Sequence, residues 1–214
     1  MKCAPIYNQI NPPEDHGVRY LHVIECGGMY SIGIFVFAPN AKIPLHNHPD
    51  MSVLSRVLYG SIRSKSYDII ETPSPKEVNQ SHEEPHGFKD RLFQFPMRLF
   101  DKIHRNGSSS ENCIYCIENE EEVIRAPETT ALYPKKGNLH EFTAGEEGAC
   151  VLDVLVPPYE SENGRDCTYF EKCDYSDSIK ESDISHCIVQ TIAQPVWFRC
   201  TGGSYEGLIS YEDK

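Results

Sequence analysis

Two histidines one residue apart, His46 and His48 in the stretch IPLHNHPD, are the residues of this chain best placed to do chemistry. In an extended segment side chains alternate between faces, so residues i and i+2 point the same way. Two imidazoles on one face are a chelate for a divalent metal, and imidazole serves iron, zinc, copper and nickel alike. The competing reading is a pair of surface imidazoles on a loop. A third histidine, His140 in PKKGNLHEF, follows the turn glycine Gly137 and opens a later set of strands. Strands far apart in sequence face each other across a small barrel, so His140 could supply a third ligand.

The remaining candidates divide between chemistry and architecture. Asp153 lies in the apolar run CVLDVLV, where a carboxylate is costly unless it has a partner. It either holds a backbone turn or serves the site, behind the metal or against a cationic substrate. His16, His82, His86 and His104 fall in polar, loop-like sequence and read as solvated side chains; His22 and His186 carry no motif. Cys113 and Cys116 in CIYC could form half of a zinc knuckle, but no second pair of similar spacing follows.

The elements that must carry these residues read as strands. VRYLHVIECGG and YSIGIFVFAP form hairpin material around Gly27 and Gly28, and the turn PNAK leads into the histidine pair. After the turn PDMS, apolar and polar residues alternate on either side of Gly60, as in two strands joined at a glycine. From about residue 71 to 122 the pattern dissolves into polar, proline-bearing sequence, which reads as an insertion. Within it, FKDRLFQFPMRLFDKIH could form a short helix or flap, interrupted at Pro96. Many short strands with Gly and Pro turns and scarcely a strong helix predict an all-β barrel or sandwich.

Composition bounds the rest. With 214 residues and 39% apolar side chains, the expectation is one domain spanning residues 1–214. A net charge of -12 argues against nucleic acid and anionic membrane as partners and favours a neutral or cationic ligand. The opening MKCAPIYNQINPP has no apolar run of signal-peptide length, and no segment approaches membrane-spanning length. Nine cysteines, an odd number, then read as reduced thiols in a cytoplasmic setting, with the nucleus also open. Short edge strands suggest a monomer.

IPLHNHPDMSVLSRVLYGSIR together with VLDVLVPPYESENGRDCTYF resembles the thiol dioxygenases, the family of cysteamine (2-aminoethanethiol) dioxygenases and plant cysteine oxidases. The resemblance runs from roughly Val18 to Phe170, with a weaker echo in PVWFRCTGGSYEG. It implies a cupin fold, the double-stranded β-helix or jelly-roll barrel, here with a long loop insertion. The first cupin motif pairs two histidines with a Glu and a Gly. His46, His48 and Gly60 match, but Ser52 or Val53 stands where the Glu belongs, which leaves His46, His48 and His140 as a three-histidine metal face. Pro134, Gly137 and His140 fit the second motif loosely, with Ala144 in place of its Asn.

Three neutral imidazoles leave a divalent ion its full charge and vacant positions for a thiolate, an amine and O2, which favours iron(II). The resemblance implies Fe(2+) as cofactor and O2 as co-substrate. The thiol of cysteamine, or of a protein's amino-terminal cysteine, would be oxidised to a sulfinic acid in an oxygen-sensing role. It also assigns Tyr159 a place near the pocket beside Asp153, and Cys167 and Tyr169 the positions of a Cys–Tyr thioether; an ordinary strand pair remains the alternative. The other readings are a zinc or manganese cupin with isomerase or hydrolytic chemistry, against which the missing Glu counts, and a metal-free ligand-binding cupin, against which the three histidines and Asp153 count.

Overall fold

The computed structural model describes residues 17–70, 113–173, 180–181 and 184–207. The chain runs through twelve strands: β1 (Val18–Cys26), β2 (Tyr30–Phe37), β3 (Lys42–His46), β4 (Ser52–Ile69), β5 (Cys113–Glu118), β6 (Glu122–Arg125), β7 (Thr129–Leu132), β8 (Leu139–Val156), β9 (Tyr169–Lys172), β10 (Lys180–Glu181), β11 (Ile184–Ile192) and β12 (Cys200–Ser204). Among the described residues the only helical element is a 3-10 turn at Ser161–Asn163. The fold of the described residues is all-β, as its alternating sequence requires.

The paired strands run β12-β1-β2-β8-β3-β9-β11-β5-β4-β6, and β4 also pairs with β8. That extra pairing closes β8, β3, β9, β11, β5 and β4 into a six-stranded ring. Each strand of the ring contributes to one cluster of buried side chains: Leu45, Tyr67, Cys116, Leu139, Phe170, Cys187 and Val189. A second core includes Phe37, Ile43, Val57, Ile62, Phe142 and Val151, with Tyr169, the neighbour of ring-core Phe170, packed against it. His46 and His140 lie on this second side, because each is one residue from a ring-core leucine and alternation sends it the other way.

The β1–β2 hairpin turns at Gly27 and Gly28, both with positive φ, and the Met29 N–H donates to the Cys26 carbonyl at 2.8 Å. This two-residue turn with left-handed residues matches the twist of the strands it joins. Among the described residues Asn40 and Asp50 are the non-glycine residues with positive φ, and they sit in the two turns that bracket β3. Asn and Asp tolerate that conformation because their short polar side chains bond locally.

Two features differ from the sequence reading. Gly60 does not separate two strands; β4 is one strand of 18 residues that bends there. Gly60 has φ +67 and faces Gly148 of β8, so closely that a Cβ would collide with the Gly148 carbonyl oxygen. Register shifts flank the same point. The bend lets the long β4 and β8 serve both cores, and only glycine permits it. The second difference lies at the end of the presumed insertion. Residues 113–118 form β5, a full member of the ring, paired with β4 and β11. The sequence that could form a helix or flap lies outside the described residues.

Candidate metal centre

His46 ends β3, His48 follows two residues later, and His140 is the second residue of β8, directly opposite His46 in the sheet register. All three are buried, with ring centroids 4.6 to 5.0 Å apart. One nitrogen from each lies within 4.8 Å of the others. Among the described residues this is the one group of His, Cys, Asp or Glu side chains arranged to hold a metal ion. No carboxylate belongs to it. Ser52 and Val53, at the motif's Glu position, start β4, and Val53 packs with Met51, Leu132 and Leu155 instead.

Hydrogen bonds on the outer side of His46 and His48 fix where their ring protons reside. The His46 Nδ1–H donates to the Pro44 carbonyl at 2.9 Å, so Nε2 carries the lone pair. The Tyr159 hydroxyl donates to the Asn47 carbonyl at 2.8 Å and lies 2.7 Å from His48 Nδ1. Its single proton is committed to the carbonyl, which can only accept. Nδ1 of His48 is therefore the donor to Tyr159, and Nε2 is again free to ligate. The main chain of His48 is clamped as well: its N–H donates to Asn138 Oδ1 at 3.1 Å, and Asn138 Nδ2 donates to its carbonyl at 2.7 Å.

His48 Nε2 and His140 Nε2 stand 3.0 Å apart. Two nitrogens at right angles on one ion, each about 2.1 Å from it, are separated by about 3.0 Å. Burial lowers the pKa of all three imidazoles, that of His46 to about 4. They are neutral at physiological pH and offer lone pairs in place of protons. The donor set fits a divalent first-row metal held by nitrogen alone, with its remaining positions open to the cavity.

That cavity has a volume of about 140 Å³, and its wall includes Phe35, Asp153, Leu155, Tyr159, Cys167 and Phe198. Asp153 is buried, and burial pushes its pKa from 3.8 up to about 6 against the opposing hydrogen bond from Ser55. Ser55 lies directly across from it on β4. The other carboxylate oxygen, Oδ1, has no hydrogen-bond partner. A buried oxygen of this kind is expensive to leave unpaired and marks a site that awaits a donor. Tyr159 is driven to a high pKa by burial first and then by neighbouring Cys167, and stays a neutral phenol.

Cys167 is an exposed residue whose side chain reaches into the cavity, within hydrogen-bond reach of the Tyr159 and Tyr169 hydroxyls. Tyr169 opens β9 opposite His46, with its ring centroid 6.4 Å from that imidazole. The structure thus brings together His46, His48, His140, Asp153, Tyr159, Cys167 and Tyr169. The zinc reading of CIYC does not hold: three residues apart on β5, Cys113 and Cys116 point to opposite faces, and Cys116 is sealed in the ring core opposite Cys187. His22 and His186 lie on β1 and β11, outside the histidine group. His16, His82, His86 and His104 lie outside the described residues. Sequence reasoning missed Ser55 and Asn138. Asn138 carried a signal in the turn GNLH, beside Gly137, while Ser55 carried none beyond its alternation with Val53 and Val57.

Known proteins are similar to this chain in sequence. The human (Homo sapiens) 2-aminoethanethiol dioxygenase is 30% identical over 210 residues, covering 92% of this chain and 69% of the relative. The Arabidopsis thaliana plant cysteine oxidase 2 is 34% identical over 155 residues, 72% of this chain and 44% of the relative. A probable 2-aminoethanethiol dioxygenase of Dictyostelium discoideum is 35% identical over 150 residues, 70% of this chain and 54% of the relative. The family model PCO_ADO matches residues 6–208, a span that takes in β1 through β12 and every residue of the histidine cavity. A family match of that extent, together with a relative 30% identical over 92% of this chain, establishes that the chain belongs to the PCO_ADO family.

Proposed function

We propose that this protein is an iron(II)-dependent thiol dioxygenase. It joins both atoms of O2 to the sulfur of an aminothiol, cysteamine or the amino-terminal cysteine of a protein, to give a sulfinic acid. The observation that carries the reading is the face of three neutral, buried imidazoles without a carboxylate, set across one small cavity from the unpartnered oxygen of Asp153. A metal held by neutral ligands keeps its full charge, so an anionic thiolate is the ligand it favours. In the overall reaction RSH and O2 give RSO2H, so no external reductant is consumed.

His46, His48 and His140 would hold the iron, which supplies a thiol of lowered pKa and a route for O2 to react. The other residues bind and orient. Asp153 gives the substrate's amine end a hydrogen-bond acceptor two carbons from sulfur. Tyr159 holds the His48 ring through Nδ1 and remains a neutral phenol at the cavity wall. Phe35, Leu155 and Phe198 exclude water from the reacting sulfur. N-acetylation of the substrate amine is expected to abolish oxidation of both cysteamine and a Cys-initiated peptide. Normal turnover of the acetylated forms, or equal oxidation of cysteines wherever they lie in a peptide, would remove the amine from the reading.

We assign Cys167 and Tyr169 to a thioether, in which Cys167 Sγ–H and a ring C–H of Tyr169 each give up a hydrogen and O2 takes both hydrogens as H2O2; the hydrogen-bond reach between the thiol and the Tyr169 hydroxyl supports it. Intact-mass analysis of turned-over enzyme should then show a loss of two hydrogens that is absent in Cys167→Ala, with activity reduced but not abolished. A mass that stays constant through many turnovers would leave the two as packing neighbours.

A further inference from the structure

We propose that Val196 and Trp197 form an apolar shelf at the mouth of the histidine cavity that seats the side chain following an amino-terminal cysteine, so that substrates with a bulky apolar second residue are preferred. The inference rests on the reading that such cysteines enter this cavity.

The shelf adjoins the cavity in sequence through Phe198, which lines its wall. Phe198 is 7% exposed, packs into the core that backs the histidines, and lies 6.0 Å from the Tyr169 ring. Its turn is closed by two hydrogen bonds, from the Phe198 N–H to the Pro195 carbonyl at 2.9 Å and from Gln194 Nε2 to the Phe198 carbonyl at 3.2 Å. Two residues on, Cys200 also lines the cavity. The same turn presents its other residues outward: Val196 is 97% exposed and Trp197 59%, with the indole 6.2 Å from the Phe198 ring and edge-on to it. A valine and a tryptophan held in solvent by a closed turn are an exposed apolar patch, and such patches mark binding surfaces. Tryptophan in particular anchors interfaces at little entropic cost.

The cavity's size sends the substrate over this surface. A volume of about 140 Å³ compares with the roughly 150 Å³ that accommodates a benzene-sized molecule. It takes the thiol, the amine and little more, so the second residue of a polypeptide has to leave past the rim. There the side chain would meet the exposed Val196 and Trp197. A phenylalanine or leucine gains burial against Trp197; a glycine gains none, and an aspartate loses solvation.

The test uses the full-length, iron-loaded protein and two peptides that differ only in beginning Cys-Phe or Cys-Gly. Formation of the amino-terminal sulfinic acid is followed by mass. We expect kcat/KM to favour Cys-Phe by roughly tenfold, the usual discrimination of an apolar contact, with the difference residing in KM. Trp197→Ala combined with Val196→Ala should bring the ratio near one, and Trp197→Phe should retain most of it. Val123→Ala, which alters an exposed apolar side chain on β6, should leave the ratio unchanged. Equal kcat/KM for the two peptides, or a preference that survives the double variant, would overturn the shelf while leaving the reaction standing. Failure to oxidise either peptide while cysteamine is turned over would overturn the shelf and leave the reaction on small aminothiols standing; failure with all three would overturn the proposed reaction and the shelf with it.

Discussion

Changing any one of His46, His48 or His140 to alanine is expected to remove most of the bound iron and nearly all turnover. In the proposed centre each ring supplies one of three protein ligands, and among the described residues no carboxylate belongs to the group. The controls are His22→Ala and His186→Ala, on strands outside the group, which should keep both iron content and turnover within about twofold. Tyr159→Phe separates holding the ligand from being one. It removes the acceptor that fixes His48 Nδ1, and losses at such positions run to about 10–100-fold in metal affinity or activity. Full iron occupancy in His140→Ala, measured on protein purified without chelator, would move the third ligand elsewhere.

Asp153→Asn should cost roughly 30- to 900-fold in kcat/KM for aminothiols, the equivalent of the roughly 2 to 4 kcal/mol lost with a buried charged partner, while iron stays bound. Its effect on stability should run the other way. In the folded protein Asp153 titrates at about 6, above its ordinary value of 3.8. Between those values the folded chain keeps a proton that the unfolded chain has released, so stability is lost as pH rises through the folded pKa. A shift of about two units corresponds to at most roughly 3 kcal/mol, present in full above pH 6 and absent below about pH 4. Urea unfolding of the metal-free protein should therefore show Asp153→Asn to be the more stable form at pH 8, with the advantage vanishing at pH 4. A variant that is both inactive and less stable at pH 8 would make Asp153 a structural carboxylate.

Local features were legible and distant pairings were not. The spacing of His46 and His48 announced a shared side, because alternation is a property of the extended chain itself. His140 was legible through its turn glycine and its strand. Asp153 stood out because a carboxylate in CVLDVLV needs a reason. The clamp on His48 was hidden: Asn138 is 90 residues away, and nothing local shows which backbone it will hold. Ser55 was hidden for the same reason, since its meaning comes from the β4–β8 register that sets it opposite Asp153. Gly60 was read as a break because glycine interrupts the alternation. Only the approach of Gly148 shows that it bends one continuous strand. β5 escaped because CIYCIE is six residues between polar segments, too short for periodicity to separate it from the sequence around it.

The central claim is that three histidines and one cavity deliver both atoms of O2 to the sulfur of an aminothiol. The measurement that tests it most directly is mass analysis of a Cys-initiated peptide after incubation with the iron-loaded protein under isotopically heavy O2 in ordinary water. The account predicts that the amino-terminal cysteine gains two heavy oxygen atoms, without added reductant, and that His140→Ala protein leaves the peptide unchanged. A product bearing one heavy oxygen, oxygen drawn from water, or a disulfide alone would contradict it.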